Sequence, residues 1–297
     1  MSSWPWMNGL SQAIADPIPP INEYDNRPSI KGMIEGNRKE IDEVKKELKT
    51  DPLYDENKHD DLWILRFLLS HKKNPRKSLQ AAKSTLLFRK ERNLDDKDIR
   101  LCPLDKSCED EAVQLYHLCC TENAIIFSVP DTKRGVVAFL DFAGVDHHKL
   151  LKNVDQAALL STFCYLNEWS FQWVDYVSRT TGRLTKSVRL VDMINFSFSG
   201  LSYESIQRDG KVMEVMEDCY PQLLQSLFVC NPPSWLHIPW KICRVIMPKR
   251  VVSKIDFIVP AKNKKERMRL FPYISEEKLP VRYGGMHEPW PVHFPLE

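Results

Sequence analysis

The residues of this chain that could do chemistry are scattered rather than gathered. His147 and His148 are adjacent, and neighbouring side chains diverge in irregular chain, so the pair alone does not make a metal site. A solvated loop is expected there, with no metal. Asp141, Asp146 and Asp192 lie near expected strand ends, where carboxylates serve as helix caps or ion-pair partners. Ten glycines form neither G-x-G-x-x-G nor G-x-x-x-x-G-K, so no phosphate-cradling loop is expected. Asn195–Gly200, nearest to a hydrolase elbow, fails at the first glycine of G-x-S-x-G. Eight cysteines show no C-x-x-C pair and read as free thiols in a reducing cytoplasm. No nucleophile, base and orienting group assemble, so no enzyme and no cofactor is expected.

What stands out instead is apolar. Residues 232–247 carry Trp235, Leu236, Ile238, Trp240, Ile242, Val245 and Ile246, interrupted by Lys241 and Arg244. The run reads either as a core helix or as a cover over an apolar cavity that lies in a membrane interface when it opens. Pro232-Pro233 should start this helix, and Pro239 should kink or restart it. From Lys241 to Arg269 ten basic residues face two acids, within a chain of formal net charge +2. A positive zone on a weakly acidic body suits an anionic membrane surface, and the small total charge points to no nucleic-acid partner. Lys254 sits at the mouth of an expected buried strand, so it needs an anion: a lipid phosphate or an internal carboxylate.

The elements that must position these residues change character along the chain. Residues 1–34 hold five prolines and read as an irregular leader, with Trp4, Trp6, Met7 and Leu10 available to an interface or to the domain. Residues 35–105 read as an all-helical lobe: a charged helix at 35–48, an apolar one from Asp60, and a third opened by Asn74-Pro75. Across 106–286 short apolar runs alternate with helices. Strands are expected at 123–129, 136–142, 188–194, 226–230 and 254–259, the first two joined as a hairpin through Asp131–Gly135. Helices near 153–180 and 202–217 imply crossovers and a mostly parallel sheet. A tail follows at 287–297. The first ten residues lack the charge and apolar core of a secretory signal, and no run of about 20 apolar residues could span a bilayer. The 43% hydrophobic and 28% charged composition is ordinary for a soluble globular protein.

An ordered series of short motifs then resembles the CRAL-TRIO family of lipid-binding proteins, which includes phosphatidylinositol transfer proteins and the retinaldehyde and tocopherol carriers. The series is Leu65-Arg-Phe-Leu68, Lys72, Phe88-Arg89, Tyr220-Pro221, Asn231-Pro232-Pro233, Lys254-Ile255, Leu279-Pro280 and Tyr283-Gly284-Gly285. The resemblance implies an α/β fold: a helical N-terminal lobe, then a lobe whose mostly parallel sheet encloses an apolar lipid pocket. Residues 233–247 stand where the family has its mobile gate.

In the phosphatidylinositol-binding branch the headgroup is met by a basic pair, an acid after Tyr-Pro, a threonine and a lysine. Here Lys72 and Lys254 match the two lysines, while His71, Gln222 and Val251 replace arginine, glutamate and threonine. Arg189 replaces a small polar residue of the choline-lipid site, and it would repel choline if it points inward. The expectation is a monomeric, cytoplasmic protein, peripheral on anionic membranes, that binds and transfers or presents a phospholipid. A carrier of a non-phosphate lipophile, such as an isoprenoid or a sterol-like molecule, and a lipid-sensing adaptor are the alternatives.

Overall fold

The computed structural model describes residues 13–197 and 202–288. Trp4, Trp6, Met7 and Leu10, the last residues of the Asn195–Gly200 run and most of the tail therefore lie outside the described residues.

The first lobe is helical. It comprises α1 (Ile30–Glu35), α2 (Arg38–Leu48), α3 (Asp61–Ser70) and α4 (Pro75–Glu91). The Asp60 carboxylate accepts from the Trp63 amide and the Asn74 amide oxygen from Lys77, so both helices start where side-chain acceptors meet orphan amides. Ile41, Val44 and Leu48 repeat at helical spacing on α2 and pack with Ile30, Leu62, Leu65, Leu68 and Leu86.

The expected leader is partly regular: α1 begins at Ile30, capped by Ser29. Ahead of it, the Ala15 and Ile18 amides donate to the Arg179 and Thr181 carbonyls, both at 2.9 Å. Those carbonyls end a long helix and have no intrahelical donor, so the leader satisfies them. Gly182 closes that helix at φ 63°, where a Cβ would stand 2.5 Å from the Ala15 carbonyl oxygen.

The second lobe runs through α5 (Glu111–His117), β1 (Ile125–Asp131), β2 (Gly135–Asp141), α6 (His147–Asn153), α7 (Gln156–Thr181), β3 (Ser187–Asp192), α8 (Tyr203–Cys219), β4 (Leu224–Cys230), α9 (His237–Ile246), α10 (Lys249–Val252), β5 (Ile255–Ile258) and α11 (Lys264–Met268). The five strands pair in sequence order, β1 antiparallel to β2 and the rest parallel.

One expectation is corrected and two are sharpened. The helix near 153–180 starts only at Gln156, because Asp155 caps it and ends the preceding turn. His147 is no solvated loop residue: it opens α6, is buried, and tilts against Phe142 at 4.5 Å. Of the kink or restart expected at Pro239 the structure has the restart: a 3-10 turn at Ser234–Leu236 gives way to α9 at His237, and Pro239 sits in its first turn, whose amides need no intrahelical partner.

The sheet has two unlike faces. Val137, Phe139, Val188, Leu190, Phe228, Cys230 and Ile258 point toward Leu270, Ile274, Leu279 and Tyr283, which seal that side as dry core. The opposite face presents Val191, Leu227, Val229 and Ile255 toward Phe196, Trp235 and Leu236. On this second face Val191 and Ile255 are only half-buried. Strand alternation sorts the two sets, and one face is left incompletely filled.

Where the lobes meet, three buried arginines face carboxylates on α7. Arg89 binds Glu168 through two 3.0 Å bonds, Arg66 meets Asp175 at 3.1 Å, and Arg179 bridges Asp175 and Asp60 at 2.6 Å each. Burial works against the charge on Arg89, yet Glu168 and Asp95 hold its pKa above the usual arginine value.

Candidate functional site

The incompletely filled sheet face is roofed by α8 and α9. Trp235 tilts against Phe196 at 5.9 Å, and Trp240 stands edge-on to Phe257 of β5 at 5.1 Å. The second pair fastens α9 to β5, and the first holds the turn that leads into α9. At its far end Ile246 meets α8 at Gly210, where a Cβ would lie 2.7 Å from the Ile246 Cγ2. Asp209, beside that glycine, lies within electrostatic reach of Cys243 on α9 and Tyr116 on α5. Burial, eased only by Arg208, pushes the Asp209 carboxyl up to about 7.

The apolar residues singled out in this segment divide. Trp235, Leu236, Trp240 and Ile246 turn inward or sideways and are half-buried. Ile238, Ile242 and Val245 point outward, 58%, 44% and 80% exposed, so they do not line the cavity. Their spacing of four and three residues makes one stripe along α9. Exposed Lys241 and Arg244 flank it, and exposed Lys249 follows in α10.

Under α8 the enclosed end of the site holds a space of about 50 Å³ lined by Asn167, Arg189, Met213, Met216, Glu217, Tyr220, Leu223, Leu224, Leu227 and Val251. Arg189 thus faces inward. Its Nη2 donates to the Asn167 Oδ1, and its Nε is out of solvent with no partner among the described residues. Lys254 is met by the internal carboxylate, Glu217, at 2.6 and 3.3 Å.

The remaining headgroup residues lie around this end. Gln222, at φ 61°, donates from Nε2 to the Ser70 hydroxyl at 3.0 Å. His71 ends α3 near the Arg250–Asp218 ion pair, and burial together with the Arg250 cation lowers its pKa. Lys72 is exposed at φ 54° and stands in solvent. Val251 is buried in α10 on the cavity wall.

Three contributors escape sequence reasoning: Glu217, Asn167 and Lys186. The acid absent after Tyr220-Pro221 has a counterpart in Glu217, one turn earlier on α8, and only α8's rotation reveals which of its acids faces in. Lys186, just ahead of β3, lies within electrostatic reach of Lys254 and Glu217; burial and then the Lys254 charge push its pKa down to about 8. Asp141 and Asp192 meet Arg282 at 3.7 and 2.6 Å, and Asp146 caps α6. Among the described residues no group of three or more His, Cys, Asp or Glu could hold a metal ion, and no helix is long and apolar enough to cross a membrane.

The family comparison agrees with this architecture. The CRAL/TRIO domain family matches residues 121–285, more than half of the chain. Patellin-3 of Arabidopsis thaliana is 24% identical over 78% of this chain and 44% of its own length. Patellin-4 of the same plant is 33% identical over 25% of this chain and 13% of its own. The chain spans less than half the length of these curated relatives. The crystal structure of Sfh5 superposes at a TM-score of 0.49 and 14% identity, covering 82% of this chain and 83% of that one. With helical lobe, five-stranded sheet and roofed apolar face in the order the motifs require, the chain belongs to the CRAL/TRIO family of lipid-binding domains.

Proposed function

We propose that this protein holds one lipid between the second sheet face and the α8–α9 roof and exchanges it at membranes, with α9 as the gate. The single observation that carries this reading is the two-sidedness of α9. Its inner side lays Trp240 on Phe257 and Ile246 on Gly210, while its outer side exposes Ile238, Ile242 and Val245 beside Lys241 and Arg244. A helix that merely completed a core would turn its apolar stripe inward. An apolar stripe flanked by cations matches an anionic bilayer interface, so the same helix can open where it docks.

Transfer of a fluorescent phospholipid between vesicles tests the reading directly. Each inserted side chain contributes on the order of 1–2 kcal/mol to membrane partitioning. Ile238→Ser, Ile242→Ser and Val245→Ser together should therefore weaken binding to anionic vesicles by about two to four orders of magnitude. Folding stability should stay nearly unchanged, because the stripe is exposed. Equal transfer by wild type and triple variant would reject α9 as the docking element. Absence of any bound lipid would reject the lipid reading itself.

A further inference from the structure

This inference rests on the lipid-binding reading and names the ligand class. The three arginines buried between the lobes, Arg66, Arg89 and Arg179, each face a carboxylate within 3.1 Å. Arg189 does not. It rises from the third strand of the sheet beside Ala138 and Leu227, whose small or apolar side chains offer it nothing. Its one described hydrogen bond goes to a neutral amide, Asn167, and its Nε points nowhere polar. Burial, opposed only by Glu217, brings its pKa down to about 10, so it still carries its charge at neutral pH. Glu217 is not free to neutralise it, since Lys254 already engages both carboxylate oxygens. With Lys186 also nearby, three cations share one carboxylate at this end of the cavity. A desolvated guanidinium left in that state is costly unless an anion completes it.

We infer that Arg189 is the specificity-determining residue of the pocket, receiving the oxyanion of an acidic lipid through its unpartnered Nε and excluding lipids that carry a quaternary ammonium. A guanidinium presents planar N–H donors suited to phosphate or carboxylate oxygens, and those bonds strengthen in an apolar surround. A choline group at the same place meets like charge with no carboxylate to spare.

The test incubates the full chain with vesicles containing phosphatidylcholine, phosphatidic acid and oleate in equal parts. The protein is re-isolated by gel filtration and its lipid quantified by mass spectrometry. The wild type should retain phosphatidic acid or oleate over phosphatidylcholine by on the order of tenfold or more, the usual worth of a charge-assisted hydrogen bond. Which of the two is retained tells phosphate from carboxylate recognition. Arg189→Gln should lose that preference, while Arg189→Lys, which keeps the charge, should keep part of it. The wild-type preference needs no variant to fold, and melting curves show whether each variant does. Equal retention of all three lipids by wild type, or an unchanged preference in a folded Arg189→Gln, would overturn the assignment while leaving lipid binding intact. Thermal stabilisation by inorganic phosphate alone, with no discrimination among lipids, would overturn it in favour of a free anion. A chain that retains no lipid at all would instead sink the reading beneath it.

Discussion

Gly210 is where α8 and α9 come closest, and it offers the sharpest handle on the gate. A methyl group placed there would stand 2.7 Å from the Ile246 Cγ2 and 3.5 Å from the Ile246 carbonyl oxygen. Apolar carbons settle at about 3.5–4.0 Å, so roughly 1 Å of separation must be found. Ile246 is β-branched at the end of a helix and its χ1 is stiff, so rotation of that side chain alone does not supply the space. The end of α9 has to lift. Overpacking of this kind costs about 1–3 kcal/mol. Alanine in the interior of α8 returns about 1 kcal/mol of helix propensity relative to glycine. The whole fold therefore loses only about 0–2 kcal/mol in Gly210→Ala, because the propensity gain is present whether the gate is open or closed. The closed gate alone bears the clash, which shifts opening by roughly fivefold to a hundredfold. Stopped-flow release of a fluorescent lipid from loaded protein, beside calorimetric melting, separates the two effects. Release should accelerate while the melting temperature moves by only a few degrees. Ile246→Ala removes the clashing methyl, so Gly210→Ala should have little effect on release in that background. Unchanged release in Gly210→Ala, or an equal acceleration with and without Ile246→Ala, would refute this contact as a gate stop.

Two further outcomes follow from buried charge. The Asp209 carboxyl rises to about 7, so the folded state holds its proton more tightly than the unfolded chain does. Its contribution is most favourable below the unfolded value near 4, is lost as pH climbs to about 7, and is level above that. Asp209→Asn should accordingly stabilise the protein at pH 8 by up to a few kcal/mol and scarcely at all at pH 4. Melting curves with the same gap at both pH values would contradict this. Glu168→Gln leaves Arg89 with Asp95 alone in the lobe interface, and urea unfolding should show a loss of about 3 kcal/mol. A loss under about 1 kcal/mol would mean that the pair does not couple the lobes.

Much of the architecture is legible in the chain, because the signals that specify it are local. Asp60 and Asn74-Pro75 mark helix starts through side-chain acceptors three residues from the amides they serve. The β-branched runs and the Asp131–Gly135 turn mark strands and a hairpin, although its register shifts by one residue between Ser128 and Asp131. Strand–helix alternation implies a parallel sheet, and the motif order names the family. Where only the neighbourhood of an element decides its meaning, sequence reading stops. Alternation tells that Val188 and Arg189 face opposite ways, but not which of them meets the cavity. That depends on the segment around Leu270–Tyr283 covering one face and α8 the other. The ambiguous lysine, Lys254, is resolved by Glu217, a residue 37 positions away. The amphipathic run at 237–246 foretells a helix, whereas its outward-turned apolar stripe follows from Ile246 against Gly210 and Trp240 against Phe257. Periodicity is carried by a few consecutive residues, and so the chain itself determines its elements. The phase at which a helix or strand meets its partners is settled by contacts distant in sequence, and those exist only once the crossovers have closed.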